Sequence, residues 1–134
     1  KLKPMKIAHI AIWTDRLEEM RAFYVKYFRG ISNEKYVNPV KGFESYFVRF
    51  EGGDTSLEIM RSSHIKNTTQ TEHLGLCHFA FALENKEKVN AFTEQMRADG
   101  YPVLGEPRIT GDGFYESIIA DPDGNRVELV AENS

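Results

Sequence analysis

The sequence predicts an α+β fold made of two copies of a βαβββ module. Three observations carry this. Each half of the chain opens on a strand-like alternation of apolar residues. A run with helical three- and four-residue spacing follows and stops at a glycine, Gly30 or Gly100. Three further strand-like runs, cut apart by turn signals, then complete each half.

In the first half, Lys6 to Trp13 alternates with period two: Ile7, His9, Ala11 and Trp13 share one face, and Ala8, Ile10 and Ile12 the other. Thr14-Asp15 offers an N-cap, with Glu18 three residues after Asp15 as a capping-box partner. The predicted helix carries Leu17, Met20, Phe23, Tyr24, Tyr27 and Phe28, and Gly30 ends it. Strands are expected at about Glu34 to Val37, Ser45 to Glu51 and Thr55 to Met60. Asn38-Pro39, Lys41-Gly42 and Gly52-Gly53-Asp54 separate them.

The second half repeats the order. Leu76 to Leu83 reads as a strand, with Cys77, Phe79, Phe81 and Leu83 on one side and His78, Ala80 and Ala82 on the other. Asn85 caps a helix from about Lys86 to Ala98, with Val89, Phe92 and Met96 on its apolar stripe and Gly100 beyond its end. Strands follow at about Pro102 to Glu106, Glu116 to Ala120 and Arg126 to Ala131. Gly111-Asp112-Gly113 and Asp121-Pro122-Asp123-Gly124 form the turns. The expected organisation is one domain over 1–134: a first module at about 5–60, a polar linker at about 61–75 and a second module at about 76–132. Modules of about 55 residues are too small to bury a good core alone, so the pair is expected to share one.

Composition excludes several function classes. A net charge of -3 leaves no electrostatic footprint for nucleic acid. No apolar run approaches the ~20 residues of a membrane span, and the start lacks the apolar core of a signal peptide. One cysteine, Cys77, precludes an intramolecular disulfide and suits a reducing compartment, so the cytoplasm is the expected location. Cys77 is expected on the apolar side of its strand, which argues against a reactive thiol.

Four residues stand out. The duplication puts a histidine on the first strand of each half and a glutamate on the last: Glu58 follows His9 by 49 positions, and Glu128 follows His78 by 50. Alternation points Glu58 away from Leu57 and Ile59, and Glu128 away from Val127 and Leu129. The histidines share their faces with Ala11 in one half and with Ala80 and Ala82 in the other, leaving room for an ion and a ligand. A lone strand histidine is ordinarily a hydrogen-bonded core residue, and a strand glutamate is ordinarily solvated. Matched pairs in a repeat make that explanation a poor one. Inward-facing carboxylates are costly unless paired or bound to a cation. Two imidazoles with two carboxylates suit nickel, cobalt, zinc, manganese or iron(II).

The His9-Ile10-Ala11-Ile12, Leu57-Glu58-Ile59 and His78-Phe79-Ala80-Phe81 strands, with the hairpin Asp121-Pro122-Asp123-Gly124-Asn125-Arg126-Val127-Glu128-Leu129, resemble the vicinal oxygen chelate superfamily, in its glyoxalase I-like branch. The Asp-Pro-Asp-Gly turn running into a glutamate strand is the most specific element. The resemblance covers nearly the whole chain and implies a glyoxalase/bleomycin resistance-type fold, whose mixed sheets curl around a metal cavity. It implies a homodimer in which His9 and Glu58 of one subunit meet His78 and Glu128 of the other. It further implies one divalent ion per site, held by these four residues, with nickel, cobalt or zinc ahead of manganese or iron. The implied activity is that of a lactoylglutathione lyase. Two adjacent substrate oxygens bind the ion, an enediolate is stabilised, and a ligand glutamate, Glu128 ahead of Glu58, moves the proton. The substrate would be a hemithioacetal of methylglyoxal with glutathione or another thiol.

Within the same superfamily the alternatives are an epimerase, a thiol transferase of the fosfomycin-resistance kind, a ring-cleaving dioxygenase, or a metal-free binding protein of the bleomycin-resistance kind. Glu58 argues against the first two, and four intact ligand candidates argue against the last. The loop Thr110 to Glu116 offers polar and aromatic groups to a substrate, Tyr115 among them, and Arg49 and Arg108 could bind a carboxylate. His64 and His73 are expected to be solvated linker residues. Asn67-Thr68-Thr69 matches a glycosylation sequon without a secretory context.

Overall fold

The computed structural model describes residues 3–4, 6–66 and 74–133; Met5, His73 and the Asn67-Thr68-Thr69 sequon lie outside them. The chain divides into two compact units, 1–68 and 69–134, with the boundary inside the expected linker. No helix among the described residues is long and apolar enough to cross a membrane.

Unit 1 contains β1 (His9–Trp13), α1 (Leu17–Phe28), β2 (Ile31–Ser32), β3 (Tyr36–Asn38), β4 (Phe43–Arg49) and β5 (Ser56–Ser62). Its sheet runs β1-β5-β4-β2, with β3 also on β4. Only β1 and β5 are parallel, joined by the long crossover such pairs require. Helix α1 lies on β4 and β5. Its Leu17, Met20, Phe23 and Tyr24 are buried, as are Tyr46, Val48, Leu57 and Ile59 of the sheet. One face of the sheet is thus closed by the helix, as the alternation predicts.

Both ends of α1 differ from expectation. The helix starts after Arg16, with no side-chain cap. The Arg16 amide donates to Thr14 Oγ1 at 2.8 Å. Glu18 is occupied instead by the Tyr46 hydroxyl at 2.8 Å and Lys35 Nζ at 2.6 Å, so it does not reach back to close a capping box. At the C-terminus the left-handed residue is Arg29, at φ 55°. Gly30 is required by space: a Cβ there would lie 2.3 Å from Val48 Cγ1 and 3.0 Å from the Tyr24 carbonyl. The single strand expected at 34–37 is replaced by β2 and β3. Between them Asn33 binds Phe47 twice, its Oδ1 accepting the Phe47 amide at 2.8 Å and its amide donating to the Phe47 carbonyl at 3.0 Å. A side chain there takes one place in the ladder and interrupts the strand.

Unit 2 contains β6 (His78–Asn85), α2 (Lys86–Ala98), β7 (Val103–Ile109), β8 (Tyr115–Ala120) and β9 (Arg126–Asn133), in the order β6-β9-β8-β7 with β6 and β9 parallel. Asn85 caps α2 as expected, accepting the Lys88 amide at 2.9 Å. Val89, Thr93 and Met96 of the helix are buried, with Ile119, Val127 and Leu129 of the sheet. The Thr93 and Ser117 hydroxyls share a hydrogen bond of 2.7 Å inside this layer. The β8–β9 turn is built around buried Asp121, whose carboxylate accepts from the Asp123 and Asn125 amides, each at 2.9 Å, and from Asn125 Nδ2 at 2.8 Å. Gly124 supplies the positive φ of 83°.

Cys77 departs from its expected place. The strand starts only at His78, so Cys77 is not held on its apolar side and is exposed, with Arg126 Nη1 3.3 Å from its sulfur.

Candidate metal centre

In unit 1, β1 and β5 run side by side with Ala11 opposite Glu58 and His9 opposite Ser56. Partners directly opposite share a face, so His9 and Glu58 emerge on the side of the sheet away from α1. His9 Nε2 stands 3.7 Å from Glu58 Oε1. The Phe47 ring, opposite Glu58 on β4, meets the imidazole edge-on at 5.5 Å. In unit 2 the same register places Ala80 opposite Glu128 and His78 opposite Arg126, and His78 Nε2 lies 3.2 Å from Glu128 Oε2.

The donor spacing fits a shared ion. Two donors each about 2.0–2.2 Å from a metal, at tetrahedral or octahedral angles, stand roughly 2.8–3.6 Å apart. The two separations lie close to that range. The glutamate side chains are largely shielded, at 17% and 15% exposure, while the imidazoles remain open at 48% and 39%. Within either unit, among the described residues, no third histidine, cysteine or acid joins a pair as a metal-binding group.

Glu116 was not singled out by the sequence pattern. It pairs with Val130 on β9, two residues along from the Ile118–Glu128 pair, so it shares the face of Glu128. It is only 8% exposed. Burial, then the charge of Glu128 and a hydrogen bond with it, push its carboxyl above the usual carboxylate range; Arg108 pulls the other way. Two carboxylates this close favour a shared proton. The signal was present in the sequence, because Glu116 and Ile118 have the same parity, but only the register shows that this parity faces Glu128. The matching residue of unit 1, opposite Met60, is the buried Ser45, so this carboxylate is not duplicated.

A test in the metal-free protein follows. Glu116 keeps its proton in the folded state to a higher pH than in the unfolded chain. It therefore adds stability below the ordinary value of 4.5, and that contribution is lost as pH rises through the folded value. Glu116→Gln cannot ionise and should escape this loss. In urea melts the variant should be the more stable protein at about pH 7, and the gap should close towards about pH 4. A constant gap at every pH would assign the effect to packing instead.

The remaining sequence candidates divide. Arg49 ends β4 on the face of Phe47 and Glu58, and is exposed. Arg108, opposite Glu116, shares the face of Glu128; its Nη1 reaches the Glu106 carbonyl at 3.5 Å and lies over Gly105, where an added Cβ would stand 3.3 Å from it. Tyr115 lies on the helix side of the sheet, where its hydroxyl donates to Asn90 Oδ1 at 2.5 Å and Lys86 Nζ sits 5.3 Å from its ring centre. Its neighbour Glu116 takes the place on the glutamate face. His64 is exposed.

Comparison with known proteins agrees with this architecture. The YqjT protein of Bacillus subtilis, itself uncharacterised, is 31% identical over 128 residues, covering 92% of this chain and 96% of the relative. A glyoxalase family protein from Enterococcus faecalis superposes with a TM-score of 0.76 at 28% identity, covering 93% of this chain and 96% of the other. At 23% identity, where the likeness speaks for the fold alone, the trypanothione-dependent glyoxalase I of Leishmania major gives a TM-score of 0.75 over 96% of this chain and 88% of its own. The family model of the glyoxalase/bleomycin resistance protein/dioxygenase superfamily matches residues 6–129, and the chain belongs to that superfamily.

Proposed function

We propose that this chain is a metal-dependent lyase of the glyoxalase I type, which converts the hemithioacetal of a 2-oxoaldehyde and a thiol such as glutathione into a 2-hydroxyacyl thioester. The observation that carries the reading is the repeated pair: His9 with Glu58 and His78 with Glu128, at matched strand positions and with donor separations of 3.7 and 3.2 Å. The ligand set is completed in a cytoplasmic homodimer, His9 and Glu58 of one subunit meeting His78 and Glu128 of the second. Nickel, cobalt or zinc suits these donors, with manganese or iron as further possibilities.

These four residues would hold a divalent ion, which when bound would polarise two adjacent oxygens of the substrate and acidify the C–H bond at C1. Glu128 would take the proton from C1 and return it to C2 while the C1 hydroxyl proton passes to the C2 oxygen, so that C1 becomes the thioester carbonyl and C2 the new carbinol. Glu58, His9 and His78 would hold the ion in place throughout. Arg49 and Arg108 lie on the glutamate-bearing faces, and they would pair with carboxylates of the thiol.

The test is metal content of the purified chain, followed by thioester formation from methylglyoxal and glutathione with nickel, cobalt and zinc. One ion per site and metal-dependent turnover are expected. A chain that neither binds metal nor is stabilised by it would overturn the reading. Bound metal without turnover would keep the site and discard the reaction.

A further inference from the structure

The histidine–glutamate pair is duplicated, but the surroundings of its glutamate are not. On the Glu128 face of unit 2, one cross-strand row is Ala80, Glu128, Ile118 and Gly105, and the next is Ala82, Val130, Glu116 and Arg108. Glu116 is thus the diagonal neighbour of Glu128, a separation that two long side chains span. A hydrogen bond joins the two carboxyl groups. On the Glu58 face of unit 1 the matching rows are Ala11, Glu58 and Phe47, then Trp13, Met60 and Ser45. The place of Glu116 is taken there by the buried Ser45, whose hydroxyl is too short for the same diagonal.

The contact of Glu116 is with the ligand rather than with the ion. Among the described residues it does not combine with His78 and Glu128 as a metal-binding group. Glu128 is largely shielded from water. A carboxylate that lets go of an ion in such a place loses its charge partner without gaining a full hydration shell, which is costly unless another polar group holds it. Glu116 stands where that group is needed. Arg108, opposite it on β7 with its guanidinium folded over Gly105, offsets the charge gathered there.

We propose that Glu116 is a positioning residue that holds Glu128 when it leaves the ion, and that this contact, which Ser45 cannot supply to Glu58, makes Glu128 the exchangeable ligand. The inference rests on the metal-binding reading above and deepens it. A molecule that brings two adjacent oxygens to the ion would then displace the one glutamate that has a place to go.

The experiment uses the full nickel-loaded chain and acetohydroxamate, a chelator with two adjacent oxygens that requires no turnover. Glu116→Leu keeps the bulk of the side chain without its polar end. It should weaken acetohydroxamate binding about 10-fold by calorimetry, while nickel affinity without chelator stays within about 3-fold of the unmodified chain. Glu116→Gln, which can still hydrogen-bond Glu128, should restore chelator binding to within about 2-fold. In a Glu128→Ala background saturated with nickel, Glu116→Leu should have no further effect, because no glutamate is left to hold; in Glu58→Ala its full effect should persist. Equal effects in both backgrounds, no effect in the unmodified chain, or nickel affinity falling in step with chelator affinity would overturn the role of Glu116 and leave the metal site standing. Failure of the unmodified chain to bind nickel would remove both. If Glu116→Leu does not fold, Glu116→Ala takes its place in the same cycle.

Discussion

Glu128→Gln is expected to lower kcat of the metal-loaded protein by about 10²–10⁴-fold, the range associated with removing a positioned general acid–base. Glutamine keeps the length and shape of the side chain and can still stand 3.2 Å from His78, but it cannot accept and return a proton. Glu58→Gln should behave differently. It removes a charged ligand without removing the proton carrier, so metal occupancy should fall and recover at high metal concentration, and turnover should recover with it. The comparison needs metal content and kcat measured together at saturating metal. If both variants lose turnover equally when fully loaded, the proton is not assigned to one glutamate. If Glu128→Gln stays active, the proton carrier lies elsewhere, and the adjoining Glu116 carboxyl is the next group to test.

The difference between the two glutamates is where sequence reasoning reached its limit. Period-two alternation was enough to turn Glu58 and Glu128 away from the buried Leu57, Ile59, Val127 and Leu129, because side-chain parity is a property of one strand. The repeat was enough to match the two histidines. Relations across strands were not legible. Glu116 stands beside Glu128 only because Ile118 pairs with Glu128, a register set by the buried Asp121 turn. Tyr115 followed the same logic in reverse, as one step along the pleat took it to α2. The ends of α1 escape a local pattern for a related reason. Asp15 and Glu18 carry a capping pattern locally, but Tyr46 and Lys35, remote in sequence, hold Glu18 in the folded unit. The β6 strand began later than expected and left Cys77 outside it, since nothing in the alternation marks where pairing with β9 starts.

Leu129→Ala tests the division of faces from the other side and should be the most damaging single truncation in unit 2. Leu129 is fully buried, opposite Phe81 on β6 and Ser117 on β8, with Val89 and Met96 of α2 in the same core. Removing its side chain forfeits the transfer free energy and leaves a cavity that a well-formed sheet cannot collapse, a cost of about 2–5 kcal/mol. For a chain of this length that lowers the melting midpoint by on the order of 10 °C. Ile59→Ala, at the matching place in unit 1 and equally buried, should cost a similar amount. The adjacent Glu128 points the opposite way, so the folded variant should bind metal with nearly unchanged affinity. Urea melts of the metal-free protein, paired with metal titrations below the transition, separate the two effects. Stability lost together with intrinsic metal affinity would mean that the two faces of β9 are not independent, and that the core layer itself holds Glu128 in its binding geometry. Stability lost alone would show that fold and chemistry are carried by alternate residues of the same strand.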